Sequence, residues 1–128
     1  MKRIRVMVVD DSLQFARAAA QFLARNGSFD VLASAHSGGE ALARADVELP
    51  DLMFIDMNMP GLHGLALTSQ VKALRAPPKV VIMTLEDSAE HRTSALVAGA
   101  DAFLPKEHFA REFHLVVETL FGAGALQG

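Results

Sequence analysis

The chain contains no cysteine, which excludes disulfides, thiolate catalysis and cysteine zinc sites. It also lacks any apolar run near the ~18 residues that a membrane-spanning helix needs. Positive charge is not in excess, since 12 Lys and Arg stand against 15 Asp and Glu for a formal net charge of −3. The one basic cluster, Lys2-Arg3-Arg5, is too short to be a nucleic-acid footprint. Direct binding of nucleic acid or membrane is therefore not expected. The opening Met1-Lys2-Arg3-Ile4 leads straight into a short strand that stops at two carboxylates, unlike a signal peptide, and the expected location is cytoplasmic. Linkers, internal repeats and low-complexity segments are absent as well. What remains is 128 residues, 51% hydrophobic and 21% charged, enough for one buried core and a single domain over residues 1–128.

Strand and helix patterns alternate along the chain with short connections. Strands are predicted at residues 3–9, 29–35, 52–55, 80–83 and 101–104, the second more polar and so at a sheet edge. Helices are predicted at 12–25, 38–46, 65–74, 88–98 and 109–121. In the first, Leu13, Ala16, Ala20 and Leu23 share a face, and Asn26-Gly27 supplies a stop. Ser37-Gly38-Gly39 opens the second, Pro77-Pro78 closes the third, and Gly99 ends the fourth. Five βα units require right-handed crossovers, hence an α/β fold with a parallel sheet and helices on both faces.

The polar residues at the ends of the apolar runs carry the chemistry. Asp10-Asp11 follow Val6-Met7-Val8-Val9, Asp56 follows Leu52-Met53-Phe54-Ile55, Thr84 follows Val80-Val81-Ile82-Met83, and Lys106 follows Ala102-Phe103-Leu104-Pro105. Parallel strands bring all of these to one sheet edge, where open α/β sheets place their ligands. Three carboxylates crowded there make sense around a hard cation with oxygen ligands, and Mg²⁺ is the natural choice because it keeps waters and phosphate oxygens as further ligands. A carboxylate can also take a phosphoryl group as an acyl phosphate. Lys106 would neutralise phosphoryl charge and Thr84 would donate to a phosphoryl oxygen. The five histidines, His36, His63, His91, His108 and His114, are dispersed without ligand spacing.

Over essentially its whole length the sequence resembles the receiver domain of bacterial two-component response regulators. The resemblance rests on Asp10-Asp11, on Asp56 followed by Pro60-Gly61 and Gly64, on Thr84, and on Lys106 after Gly99-Ala100-Asp101-Ala102-Phe103-Leu104. It implies a flavodoxin-like (βα)5 fold with strand order 2-1-3-4-5. It implies further that Asp56 is the phosphoacceptor, charged from the phosphohistidine of a histidine kinase or phosphotransfer protein. Asp11 and Asp56 would bind Mg²⁺ with the main-chain carbonyl of Asn58, Asp10 acting largely through water. Thr84 and Phe103 would be the switch pair, read out over 88–98, 101–104 and 109–121 by an output domain or target protein, with a homodimer formed on phosphorylation among the possible consequences. Phe103-Leu104-Pro105-Lys106 looks like the LuxR or NarL subfamily. Two positions depart from the family. Leu85 stands where a small residue is usual and is expected to narrow access to Asp56, and Glu107 replaces a proline after Lys106, so a trans bond is expected there.

Two other functions compete. A Mg²⁺-dependent aspartyl-phosphate phosphatase of the haloacid-dehalogenase type needs an acid two positions after its nucleophile, where Asn58 stands, and a cap domain that the chain has no room for. A degenerate receiver acting as a constitutive interaction module would not need the intact acidic cluster. The chain reads equally as a stand-alone regulator or as the amino-terminal domain of a transcription factor.

Overall fold

The computed structural model describes residues 2–126. Its elements alternate in the order β1 (Ile4–Val9), α1 (Leu13–Ala24), β2 (Phe29–Val31), α2 (Gly38–Glu48), β3 (Leu52–Asp56), α3 (Gly64–Lys72), β4 (Lys79–Thr84), α4 (Ala89–Ala98), β5 (Ala102–Pro105) and α5 (Phe109–Phe121), with a 3-10 turn over Lys106–His108. The strands form one parallel sheet in the order β2-β1-β3-β4-β5.

The period of two in the strands divides the core between the faces of this sheet. Val6, Val8, Phe54, Val81 and Leu104 point toward α1 and α5, where they meet Ala16, Leu23, Phe109 and Phe113. Met7, Val9, Ile55, Val80 and Ile82 point the other way, onto Ala41, Leu67, Val71 and Ala95 of α2, α3 and α4. Every residue of β3 is buried, which is why it reads in the sequence as an unbroken apolar run. Ser12, Ser37 and Ser88 start α1, α2 and α4 by accepting from the backbone N–H groups of Phe15 (3.3 Å), Glu40 (3.1 Å) and His91 (3.1 Å), donors that a helix leaves without partners.

Three details depart from the sequence expectations. β2 stops at Val31 instead of running to residue 35, and Ala35 rejoins β1 only through an isolated bridge to Val9. The Leu32 N–H still donates to the Val6 carbonyl and the Ala35 N–H to the Val8 carbonyl, so a three-residue step lies opposite a two-residue step of β1, and the carbonyls of Ala33 and Ser34 within this bulge accept from the Arg44 guanidinium at 2.6 and 3.2 Å. α1 is rotated from the expected face. Leu13 is 59% exposed, while Ala16, Ala19 and Leu23 are buried and Phe15 and Phe22 pack against the core. In an alanine-rich helix the two aromatic rings carry most of the apolar area and decide which side turns inward. The turn after β5 is not periodic and was not expected.

Candidate functional site

The register sets the ends of four strands level. Val9 pairs with Ile55, Asp56 with Met83, and Thr84 with Pro105. Asp10 and Asp11 leave the end of β1, Asp56 and Thr84 are the last residues of β3 and β4, and Lys106 is the first after β5. One carboxylate oxygen from each of Asp10, Asp11 and Asp56 lies within 4.8 Å of the other two. The expected residues therefore do come together at the carboxyl edge of the sheet. Asp10, Asp56 and Thr84 are buried and Asp11 faces solvent.

Each buried group has a defined set of contacts. Asp10 Oδ1 accepts from the Ser12 N–H at 2.9 Å, which shapes the start of α1. Its Oδ2 is buried and lies 2.6 Å from the Lys106 ammonium. Lys106 Nζ is also 3.4 Å from Asp56 Oδ1, and its side chain is only 8% exposed. Asp56 Oδ1 accepts a long bond of 3.4 Å from the Asn58 N–H. Burial pushes the Asp56 carboxyl up to about 6, the charge of Asp10 adds to the rise, and Lys106 and the Asn58 N–H oppose it. Three carboxylates within 4.8 Å of one another beside the Lys106 ammonium suit a hard cation with oxygen ligands.

Comparison with known proteins identifies the family. A sequence model described as the response regulator receiver domain matches residues 6–118. The chain belongs to the response regulator receiver domain family. The response regulator MprA of Mycobacterium ulcerans is 36% identical over 105 residues, covering 80% of this chain and 44% of that protein. A putative transcriptional regulator of Pseudomonas aeruginosa is 30% identical over 129 residues, covering 96% of this chain and 62% of its own length. The receiver thus spans less than two thirds of either relative. Among solved structures, the signal receiver domain of the putative response regulator NarL from Mycobacterium tuberculosis superposes with a TM-score of 0.87 at 29% identity, covering 94% of this chain and 97% of that one. The flavodoxin-like strand order 2-1-3-4-5 is therefore the order of the family as well as of the sheet.

Several groups of this receiver escape sequence reasoning. Phe15 of α1 places its ring 4.8 Å from Lys106 Nζ. His36 holds the carbonyl of Asp10 at 3.2 Å through Nδ1. Arg92 of α4 lies 4.8 Å over the ring of Phe103 while forming a two-point pair with Asp87 at 2.8 and 3.0 Å. None of these carries a motif. A phenylalanine on an amphipathic helix reads as core, and only the three-dimensional arrangement shows what its face meets. Thr84 is buried and its Oγ1 accepts from the Glu86 N–H at 3.2 Å. Leu85, one residue beyond Thr84, is 82% exposed. No cis peptide bond occurs among the described residues, in line with the trans bond expected after Lys106. Nor is any described helix long and apolar enough to cross a membrane.

Proposed function

We propose that residues 1–128 act as one phosphoacceptor domain in which Asp56 takes a phosphoryl group from the phosphohistidine of a histidine kinase or phosphotransfer protein. The observation that carries this reading is the buried Asp10–Asp56–Lys106 arrangement, in which two carboxylates and an ammonium converge at 2.6 and 3.4 Å. An Asp56 carboxylate oxygen attacks phosphorus, the P–N bond to the donor imidazole breaks, and its electron pair leaves on that nitrogen. Lys106 neutralises charge on the transferred group, and the Thr84 hydroxyl turns from its Glu86 contact to donate to a phosphoryl oxygen. Asp11, Asp56 and the main-chain carbonyl of Asn58 would hold Mg²⁺, with Asp10 reaching it through water. The ion supplies neutralisation of the phosphoryl and carboxylate charges. Such a domain is a switch rather than an enzyme.

The signal leaves through Thr84 and Phe103 toward α4, β5 and α5. Leu96 and Val97 of α4 are 66% and 83% exposed and Leu115 of α5 is 57% exposed, apolar side chains available to an output domain, a target protein or a second copy of the chain. The likeness to a putative transcriptional regulator of Pseudomonas aeruginosa supports transcriptional output for the whole protein, with this domain itself making no contact to DNA.

Incubation with acetyl phosphate and Mg²⁺ separates the functions. A switch gains one acid-labile, hydroxylamine-sensitive phosphate per chain and loses it slowly, a phosphatase turns donor over continuously, and a degenerate module does neither. The last two outcomes would overturn the proposal. Thr84→Ala and Lys106→Ala are expected to accept some phosphate but to transmit less of it. Amide resonances around Phe103, which shift when the parent is phosphorylated, should move by about half as much or less in either variant. Shifts as large as the parent's would refute the switch roles.

A further inference from the structure

We propose that Phe15 is a positioning residue for Lys106, holding the ammonium over the acidic site by a contact that neither a cation nor a phosphoryl group can claim. The inference rests on the phosphoacceptor reading above and adds to it a residue with no polar atom. Lys106 Nζ lies 2.6 Å from Asp10 Oδ2, 3.4 Å from Asp56 Oδ1 and 4.8 Å from the centroid of the Phe15 ring. The ring distance is within the range of cation–π attraction, which is stronger when the cation is withdrawn from water. This cation is withdrawn, its side chain being 8% exposed.

These three groups differ in what happens to them when the site is used. A cation bound by the carboxylates competes with Lys106 for Asp10 and Asp56, and an acyl phosphate consumes the anionic charge of Asp56 outright. The Phe15 ring is not altered by either event. It is itself fixed, meeting Phe109 edge-on at 5.9 Å and 81°, and Phe109 in turn meets Phe54 of β3 at 5.1 Å. Lys106 and Phe109 are joined by the 3-10 turn over Lys106–His108, so the lysine backbone and the ring under its ammonium are anchored to the same aromatic cluster. The ring therefore keeps the ammonium aimed at the phosphoryl position once its carboxylate partners are taken.

Phe15→Leu removes the ring face and keeps an apolar side chain, and Phe15→Tyr keeps the face. With beryllofluoride as the phosphoryl stand-in at fixed Mg²⁺, the leucine variant is expected to bind about five- to tenfold more weakly than the parent, and the tyrosine variant to match the parent. Mg²⁺ alone should bind the leucine variant as tightly as the parent or slightly more tightly, because a less firmly held ammonium competes less for Asp10. A merely loosened fold would weaken both ligands together, and that result would overturn the proposal. So would equal beryllofluoride affinities in parent and leucine variant, which leaves the phosphoacceptor reading standing. A parent that binds no beryllofluoride overturns that reading and the role of Phe15 with it. Should Phe15→Leu melt too low for titration, Phe15→Met, whose flexible side chain fills the gap more fully, repeats the comparison with the same expected signs. As a ligand-free readout, the Lys106 ε-methylene protons should resonate upfield in the parent and return toward ordinary values in the leucine variant. No difference there contradicts the contact itself.

Discussion

Asp56→Asn is expected to raise the stability of the metal-free protein at pH 7–8 by about 2 kcal/mol, with a melting temperature higher by roughly 5–10 °C. A wild-type functional residue is thus expected to be a liability to the fold. Burial and the charge of Asp10 push the Asp56 carboxyl from 3.8 up to about 6. For an acid whose folded value is raised, the unfolded chain gives up its proton first. Its contribution to stability is therefore intact below about pH 4, falls as pH rises toward 6, and stays lost above that. The shift corresponds to a penalty on the order of 3 kcal/mol. The opposing pull of Lys106 is already contained in that value, and the expected gain is set at about 2 kcal/mol because the buried amide that replaces the carboxyl carries a hydrogen-bonding cost of its own, on the order of 1 kcal/mol. In EDTA the parent and the variant should converge near pH 4, where Asp56 is neutral, and diverge by pH 7. Added Mg²⁺ should close the gap from the parent's side, since a ligand that binds only the native state stabilises it. Asp11 faces solvent, so Asp11→Asn should move the metal-free midpoint far less, although both changes reduce the Mg²⁺ increment. A variant less stable than the parent at pH 8 in EDTA would contradict a crowded, desolvated carboxylate.

Gly64→Ala is expected to have a larger effect of opposite sign, a loss of 3 kcal/mol or more. The first turn of α3 lies directly against the backbone that carries Asp56. A Cβ on Gly64 would stand 2.2 Å from the Asp56 carbonyl oxygen and 2.8 Å from Met57 Cα. Both are main-chain atoms, so no flexible side chain can give way. The helix or the end of β3 must move. The Gly64 N–H donates to the Met57 carbonyl at 3.2 Å and the Gly64 carbonyl accepts from Thr68 Oγ1 at 2.7 Å, so a shift strains these bonds as well. Because the displaced segment includes Asp56, weaker Mg²⁺ binding should accompany the loss. Urea unfolding monitored by circular dichroism gives the stability directly, and a change within about 0.5 kcal/mol would show that the close approach is relieved at little cost.

How much of this was legible in the sequence depends on the residue. β1, β3 and β4 are buried on both faces and read as uninterrupted apolar runs, so their ends, and with them Asp10, Asp56 and Thr84, could be located. Parallel pairing then required those ends to be neighbours. β2 was less readable because an extra residue between Leu32 and Ala35 breaks its register with β1, and no local pattern marks that bulge or the Arg44 guanidinium that bonds its carbonyls. The face of α1 was misplaced because Ala20 and Leu13 fit the helical period as well as Phe15 and Phe22 do, and the period alone ignores ring area. Gly64 could be noted as part of a motif, but its reason, contact with the Asp56 backbone, is a distance between two elements. The same holds for Phe15 over Lys106 and for Arg92 over Phe103, which bring together residues far apart in the chain.

The central claim is that a phosphoryl group is accepted at one carboxylate, and borohydride trapping after reaction with acetyl phosphate and Mg²⁺ tests it most directly. Reduction of an aspartyl phosphate yields homoserine, which peptide mass spectrometry can assign to a position. The account predicts homoserine at residue 56 in the parent, dependence on Mg²⁺, and no homoserine at any position in Asp56→Asn. Homoserine at Asp10 or Asp11, undiminished labelling in Asp56→Asn, or a parent that takes up no phosphate would contradict it.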